Sequence, residues 1–146
     1  MKKANPLMLL VQGFFQNYLL ADRGLSQNTL MAYRDTLKLF FAFECSRQKK
    51  SVTKLVLDDV NADAVLLFLN QLEIKRKNSI VTRNLRLASL KTFSLFLTTK
   101  DVLRAGEYQR IMALPLKKAP RKVIDYLEVS EVKAVIGDFD QGNKHE

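Results

Sequence analysis

The sequence predicts an all-α chain: a bundle of four helices plus a short fifth, followed by a basic linker and one more short helix. Three observations predict it. Apolar residues recur at spacings of three and four along most of the chain, β-branched alternation is nearly absent, and only five glycines and three prolines interrupt 146 residues. With 47% hydrophobic residues the chain can bury one ordinary core, and it is too short for two large ones.

The first helix begins at Pro6, whose fixed φ suits a first turn, and carries Leu7, Leu10, Val11, Phe14, Tyr18 and Leu19 inward. It should stop near Asp22, Arg23 and Gly24, where glycine can take the left-handed cap. Ser26 or Asn28 caps a second helix with the stripe Leu30, Tyr33, Leu37, Phe40 and Phe41. Residues 51–60 read as a connector. Asn61 caps a third helix with Val65, Phe68, Leu69 and Leu72 inward, and Asn78 or Ser79 opens a fourth that runs to about Thr99. A fifth, shorter helix is expected between Val102 and Ala113.

Past Leu114 the texture changes. Two prolines and four cations in residues 115–122 read as an extended basic linker. The stripe Leu127, Val132, Val135 and Ile136 beyond it is one short amphipathic element, too small for a core of its own. The expected organisation is therefore a helical domain over 1–113, a linker over 114–126 and the start of a second domain over 127–146.

Charge narrows the partner. The 24 Lys and Arg against 15 Asp and Glu leave +9, and residues 125–146 hold six acids and two lysines, so the other 124 residues carry +13. A segregated surplus of that size favours a polyanion, nucleic acid before anionic membrane. No apolar run approaches the ~18 residues that span a bilayer. The apolar stretch after Lys2 and Lys3 breaks at Gln12 with no small-residue cleavage site, and the lone Cys45 permits no internal disulfide, so a cytoplasmic setting is expected.

Catalytic chemistry finds little purchase. The only histidine, His145, is the penultimate residue, which leaves a histidine triad or zinc site without a rigid base. Cys45 follows the apolar stripe of the second helix and reads as structural, and there is no phosphate-binding glycine loop. Asp58 and Asp59 read as a solvated turn without partners. No catalytic residue, metal, cofactor or small-molecule substrate is expected.

The basic segments are more informative. Between Glu73 and Asp101 the chain carries Lys75, Arg76, Lys77, Arg83, Arg86, Lys91 and Lys100 with no acid among them. A solvated helix face would interleave both signs, so one-sign runs imply a counter-charge from outside. Arg83 and Arg86 share the arc of Leu90 and Phe93, as expected if the N-terminal end of the fourth helix leaves the core and enters a groove. Thr82 and Asn84 would then reach phosphates or base edges. The structural alternative pairs Arg86 with an acid from another helix. A second cluster, Ser26, Gln27, Asn28 and Thr29 with Arg34 and Lys38, offers short polar groups beside free backbone N–H groups, a natural phosphate seat that also reads as plain N-capping.

On these residues the chain resembles the N-terminal, core-binding, SAM-like domain of tyrosine site-specific recombinases, the phage integrase and Xer class. LSQNTLMAYRDTL (25–37) is similar to that family's second-helix pattern, Leu-Ser-x-x-Thr-Leu-x-x-Tyr-Arg-x-x-Leu. TRNLRLASLKTF (82–93) is similar to its fourth-helix pattern, with Lys91 in place of arginine, which keeps the charge and loses bidentate reach. LPLKK (114–118) resembles the interdomain linker. Residues 126–132 resemble the first helix of the catalytic domain, with Glu128 departing from the usual hydroxyl cap.

The resemblance implies a helical clamp on duplex DNA during recombination or integration, with the second and fourth helices near the major groove and other recombinase subunits as neighbours. An assembly module, or a catalytically inactive binder, is the alternative. The DNA-contacting set it implies is Ser26, Gln27, Asn28, Thr29, Tyr33, Arg34, Lys38, Thr82, Arg83, Asn84, Arg86, Lys91, Lys117, Lys118, Arg121 and Lys122. The family's arginine motif, His-x-x-Arg and late tyrosine have no counterpart in these 146 residues, and Tyr18, Tyr33, Tyr108 and Tyr126 all fall in non-catalytic positions of the resemblance.

Overall fold

The computed structural model describes residues 5–118. Helix α1 spans Pro6–Gly13, with Pro6 in its first turn, and Asn5 caps it by accepting from the Leu7 N–H at 2.8 Å. The same Asn5 donates to the Thr53 and Leu55 carbonyls at 3.0 and 2.9 Å, tying the helix start to the 51–60 connector.

From Phe14–Asp22 the helix widens to i→i+5 bonding instead of continuing as the expected regular α-helix. The reason lies in the spacing of its apolar groups. Phe14 and Leu19, five apart, are both fully buried, and the wider i→i+5 turn brings them nearer to one side than the α-helical turn of about 3.6 residues would. Gly24 ends the segment at φ +61°, the left-handed conformation expected of it from the sequence.

Helix α2 spans Gln27–Gln48 with Ser26 as its cap, and Lys49 closes it at φ 54° without the help of a glycine. The connector folds into two single 3₁₀ turns, Val52–Lys54 and Leu57–Asp59, which seat Leu55 and Val60 in the core. Helix α3 spans Ala62–Lys75 with Asn61 as cap, α4 spans Ile80–Lys100 with Ser79 as cap, and α5 spans Ala105–Met112 after a 3₁₀ turn at Val102–Arg104.

Helix α4 is the hub, packed against α5, α3, α2 and the widened end of α1. Phe93 and Phe96 on α4 meet Phe14 at centroid distances of 5.1 and 5.4 Å, and Phe40 on α2 meets Phe68 on α3 edge-on at 5.4 Å. Such pairs contribute about 0.5–1.5 kcal/mol each beyond their burial. The all-α bundle with a short fifth helix is thus the observed architecture. Among the described residues no helix is long and apolar enough to cross a membrane. The expected stripe from Leu127 to Ile136, together with Arg121, Lys122, Tyr126 and His145, lies outside the described residues.

Polar groups pin the periphery. Asp58 and Asp59 do have partners, contrary to the expectation of a solvated turn. Arg104 pairs with Asp58, while Asp59 accepts from the Val56 N–H at 2.7 Å, from Gln48 at 2.8 Å and from Lys50 at 3.0 Å. Burial alone would raise the Asp59 carboxyl, but these hydrogen bonds outweigh it and hold the group below its ordinary range. The connector is therefore a latch between α2, α3 and the start of α5.

Candidate nucleic-acid interface

Two helix starts carry most of the residues singled out from sequence, and locally they are built alike. At α2 the Ser26 hydroxyl accepts from the Thr29 N–H at 3.3 Å and lies 3.0 Å from the Thr29 hydroxyl. At α4 the Ser79 hydroxyl accepts from the Thr82 N–H at 3.1 Å and donates to the Thr82 hydroxyl at 3.1 Å. In each case one serine supplies the cap.

Their surroundings differ. Ser26, Gln27, Asn28 and Thr29 are all exposed, as are Arg34 and Lys38 further along α2. Tyr33 is half-buried with its ring edge-on to Phe14 at 6.0 Å, so most of its ring packs on the core. At the start of α4 the polar groups turn inward. Arg83 is only 3% exposed, so this end of the helix does not leave the core as expected. Its Nε lies 3.2 Å from Glu73 Oε1, off the hydrogen-bonding line, and its Nη1 donates to Asn84 Oδ1 at 3.3 Å. Burial of a guanidinium requires such a counter-charge, and Glu73 is the last acid before the one-sign run begins. Arg83 is accordingly a structural charge.

Arg86, one turn on, is half-buried, and its Nη1 donates to the Thr36 hydroxyl of α2 at 3.0 Å. The expected alternative of an acid partner is not what holds it: among the described residues no carboxylate pairs with Arg86, and its buried Nε makes no hydrogen bond. Thr36 is itself buried and spends its proton on the Ala32 carbonyl, which leaves the oxygen to accept from Arg86.

Beside this contact Lys38 from α2, Arg76 from the end of α3 and Arg86 from α4 line one cleft of about 280 Å³ together with Asp35 and Leu39. None of the three cations forms an ion pair among the described residues. Arg76 stood out in the sequence only as part of a basic run. Its place in the cleft depends on α3 ending where it does, which no spacing within α3 announces.

The remaining sequence candidates divide. Asn84 and Lys117 hold each other: the Lys117 N–H donates to Asn84 Oδ1 at 3.0 Å, and Asn84 Nδ2 donates to the Lys117 carbonyl at 2.7 Å. The Lys117 ammonium lies 2.9 Å from Glu73 Oε1. Lys91 is half-buried along α4, and Lys118 is exposed. Arg34 and Lys38 also line an apolar groove of about 600 Å³ between α1 and α2, floored by Val11, Phe15, Leu37 and Phe41.

Groups with intrinsic nucleophilic chemistry are occupied structurally. Burial, and then the neighbouring Glu44 carboxylate, pushes the half-buried Cys45 thiol up, away from the reactive thiolate. Tyr108 is fully buried and donates to Asp101 at 2.6 Å. Desolvation first, then that hydrogen bond, push its phenol well above the usual range. Among the described residues no group of three potential metal ligands occurs.

Residues 13–101, more than half of the chain, match the phage integrase N-terminal SAM-like domain. The chain belongs to that family. Relatives of this integrase domain agree. It is 35% identical over 127 residues to a Sinorhizobium fredii protein carrying the name integrase/recombinase y4rD, covering 87% of this chain and 45% of that one. It is 29% identical over 141 residues to the similarly named y4rC of the same organism, covering 97% and 42%. Against the tyrosine recombinase XerC of Roseiflexus castenholzii it is 34% identical over 122 residues, covering 79% and 37%. The chain thus spans less than half the length of the curated relatives it matches. No solved structure gives a significant match.

Proposed function

We propose that this integrase N-terminal domain is a duplex-DNA-binding half-clamp, acting in site-specific recombination or DNA integration. The observation that carries the reading is the cleft in which Lys38, Arg76 and Arg86 converge from three helices beside one carboxylate, Asp35, with which none of them forms an ion pair among the described residues. A cleft whose lining is net positive concentrates its field on an incoming anion. Phosphodiester oxygens fit it, since Arg and Lys donors aimed into a common space need acceptors from outside.

The exposed start of α2 extends this surface with neutral donors in Ser26, Gln27, Asn28 and Thr29 and with Arg34. Lys118 and, beyond the described residues, Arg121 and Lys122 add charge along the linker, and Lys91 lies on α4. In this reading residues 1–113 are the binding domain, 114–126 the linker and 127–146 the start of a second domain. Chemistry on DNA is not assigned to these residues.

The test is a titration of a short duplex into the 146-residue chain at several salt concentrations. Binding in the non-specific range of ~10⁻⁴ to 10⁻⁶ M is expected, with log affinity falling by about 0.9 per neutralised phosphate for each unit of log salt. Absence of binding at low salt, or binding indifferent to salt, rejects the proposal.

A further inference from the structure

The segment after α5 does not run free from the end of that helix. It returns to the start of α4, 33 residues back in sequence, where Asn84 takes both backbone groups of Lys117: the N–H on its Oδ1 at 3.0 Å and the carbonyl on its Nδ2 at 2.7 Å. A side-chain amide that pairs with both polar groups of one residue reads extended backbone much as a neighbouring strand would, independently of the side chain presented. The amide's facing has a visible cause. The buried Arg83 donates to Asn84 Oδ1 at 3.3 Å, so the oxygen must turn toward the guanidinium and the nitrogen toward the Lys117 carbonyl.

Charge adds selectivity to the backbone contact. Both carboxylate oxygens of Glu73 accept from the Lys117 ammonium, at 2.9 and 3.0 Å, while Arg83 lies 3.2 Å from one of them. Glu73 cannot leave, because Arg83 beneath it is 3% exposed and needs the counter-charge. Lys117, 45% exposed at its side chain, can come and go. A basic segment arriving at the longest acid-free stretch of the chain would otherwise be repelled from it, since residues 74–100 carry seven cations and no acid. Glu73, the acid at the N-terminal edge of that stretch, is where it lands.

We propose that Asn84, Glu73 and Arg83 form a seat for the chain's own basic linker, and that this seat sets the point and direction in which the chain leaves the helical domain. The start of α4, not the end of α5, then fixes the direction of the chain at Lys117. Asn84 and Arg83, read from sequence as groove contacts, act instead as positioning residues. The proposal does not depend on DNA binding, and its test uses no nucleic acid, so the two can fail separately.

Amide hydrogen exchange resolved by NMR on the full 146-residue chain tests it. The Lys117 N–H should be protected relative to free peptide, and Asn84→Ala should speed its exchange about fivefold or more, the factor one exposed hydrogen bond supplies. Lys118→Met, one residue outside the clamp, should leave Lys117 unchanged. A Lys117 N–H that exchanges at the free-peptide rate in the unaltered chain, or that ignores Asn84→Ala, overturns the seat. So does an equal acceleration by Lys118→Met. If Asn84→Ala lowers helicity by circular dichroism, Lys117→Pro replaces it, removing the donated N–H without touching α4. The Asn84 side-chain amide keeps the residue-117 carbonyl as acceptor but loses the second backbone bond and the Glu73 contact that hold the segment there, so its protons should exchange faster; exchange at the original rate overturns a seat that needs both backbone groups.

Discussion

The starts of α2 and α4 look like the same device used twice. Each opens with a serine that caps the N–H of a threonine three residues on, and each is followed by arginine within two turns. At α2 the groups beyond the cap are exposed. At α4 they are engaged from within: Arg83 by Glu73, Asn84 by the backbone of Lys117, and one nitrogen of Arg86 by Thr36. The difference teaches that a polar, basic helix start identifies a site only after its internal partners have been counted. One start is presented outward, the other is built into the scaffold, and the cleft of Lys38, Arg76 and Arg86 lies further along both helices, beside the end of α3.

Three substitutions sharpen or break that contrast, in order of expected size. Glu73→Ala should be the most damaging, because it strands the Arg83 charge inside the protein. A loss of about 3 kcal/mol is expected, the low end for breaking a buried pair, since Glu73 itself is a quarter exposed. Urea unfolding would measure it, and a loss below about 1 kcal/mol would make the α4 start as dispensable as an exposed one.

Thr36→Val comes next. It keeps the shape of a buried side chain and removes the acceptor of Arg86, at a cost of about 1–3 kcal/mol. Its thermal midpoint should fall accordingly. An unchanged midpoint would mean that Arg86 finds solvent without penalty.

The smallest stability effect is expected from Arg34→Ala on the exposed start of α2, within about 0.5 kcal/mol of the parent. Its signature should appear in binding instead, as a uniform drop in duplex affinity and a salt slope shallower by about 1. A large loss of stability with intact binding would reverse the assignment of the two helix starts.

Much of the fold was legible because it rests on local periodicity. Pro6, Gly24, Ser26, Asn61 and Ser79 mark helix boundaries through their own backbone preferences and side-chain oxygens, and the stripes between them face the core as their spacing requires. The widened turn after Gly13 was not legible: the spacing placed Phe14, Tyr18 and Leu19 inward on a regular helix, and only the packed core decides that burying Phe14 and Leu19 together takes i→i+5 bonding. Nor were the latches that Asp58 and Asp59 form, because their partners Arg104 and Lys50 are set by how α5 and the end of α2 pack.

The candidate interface divides along the same line. That the chain is basic, helical and similar to an integrase N-terminal domain came from residue types and their order, which are properties of the sequence alone. Which cations remain available to an outside anion was decided by the tertiary structure. A guanidinium's role depends on whether a carboxylate or hydroxyl stands within about 3 Å of it. For Arg83, Arg86 and Lys117 those neighbours come from α3, α2 and α3 again, brought there by folding and by nothing in the local sequence.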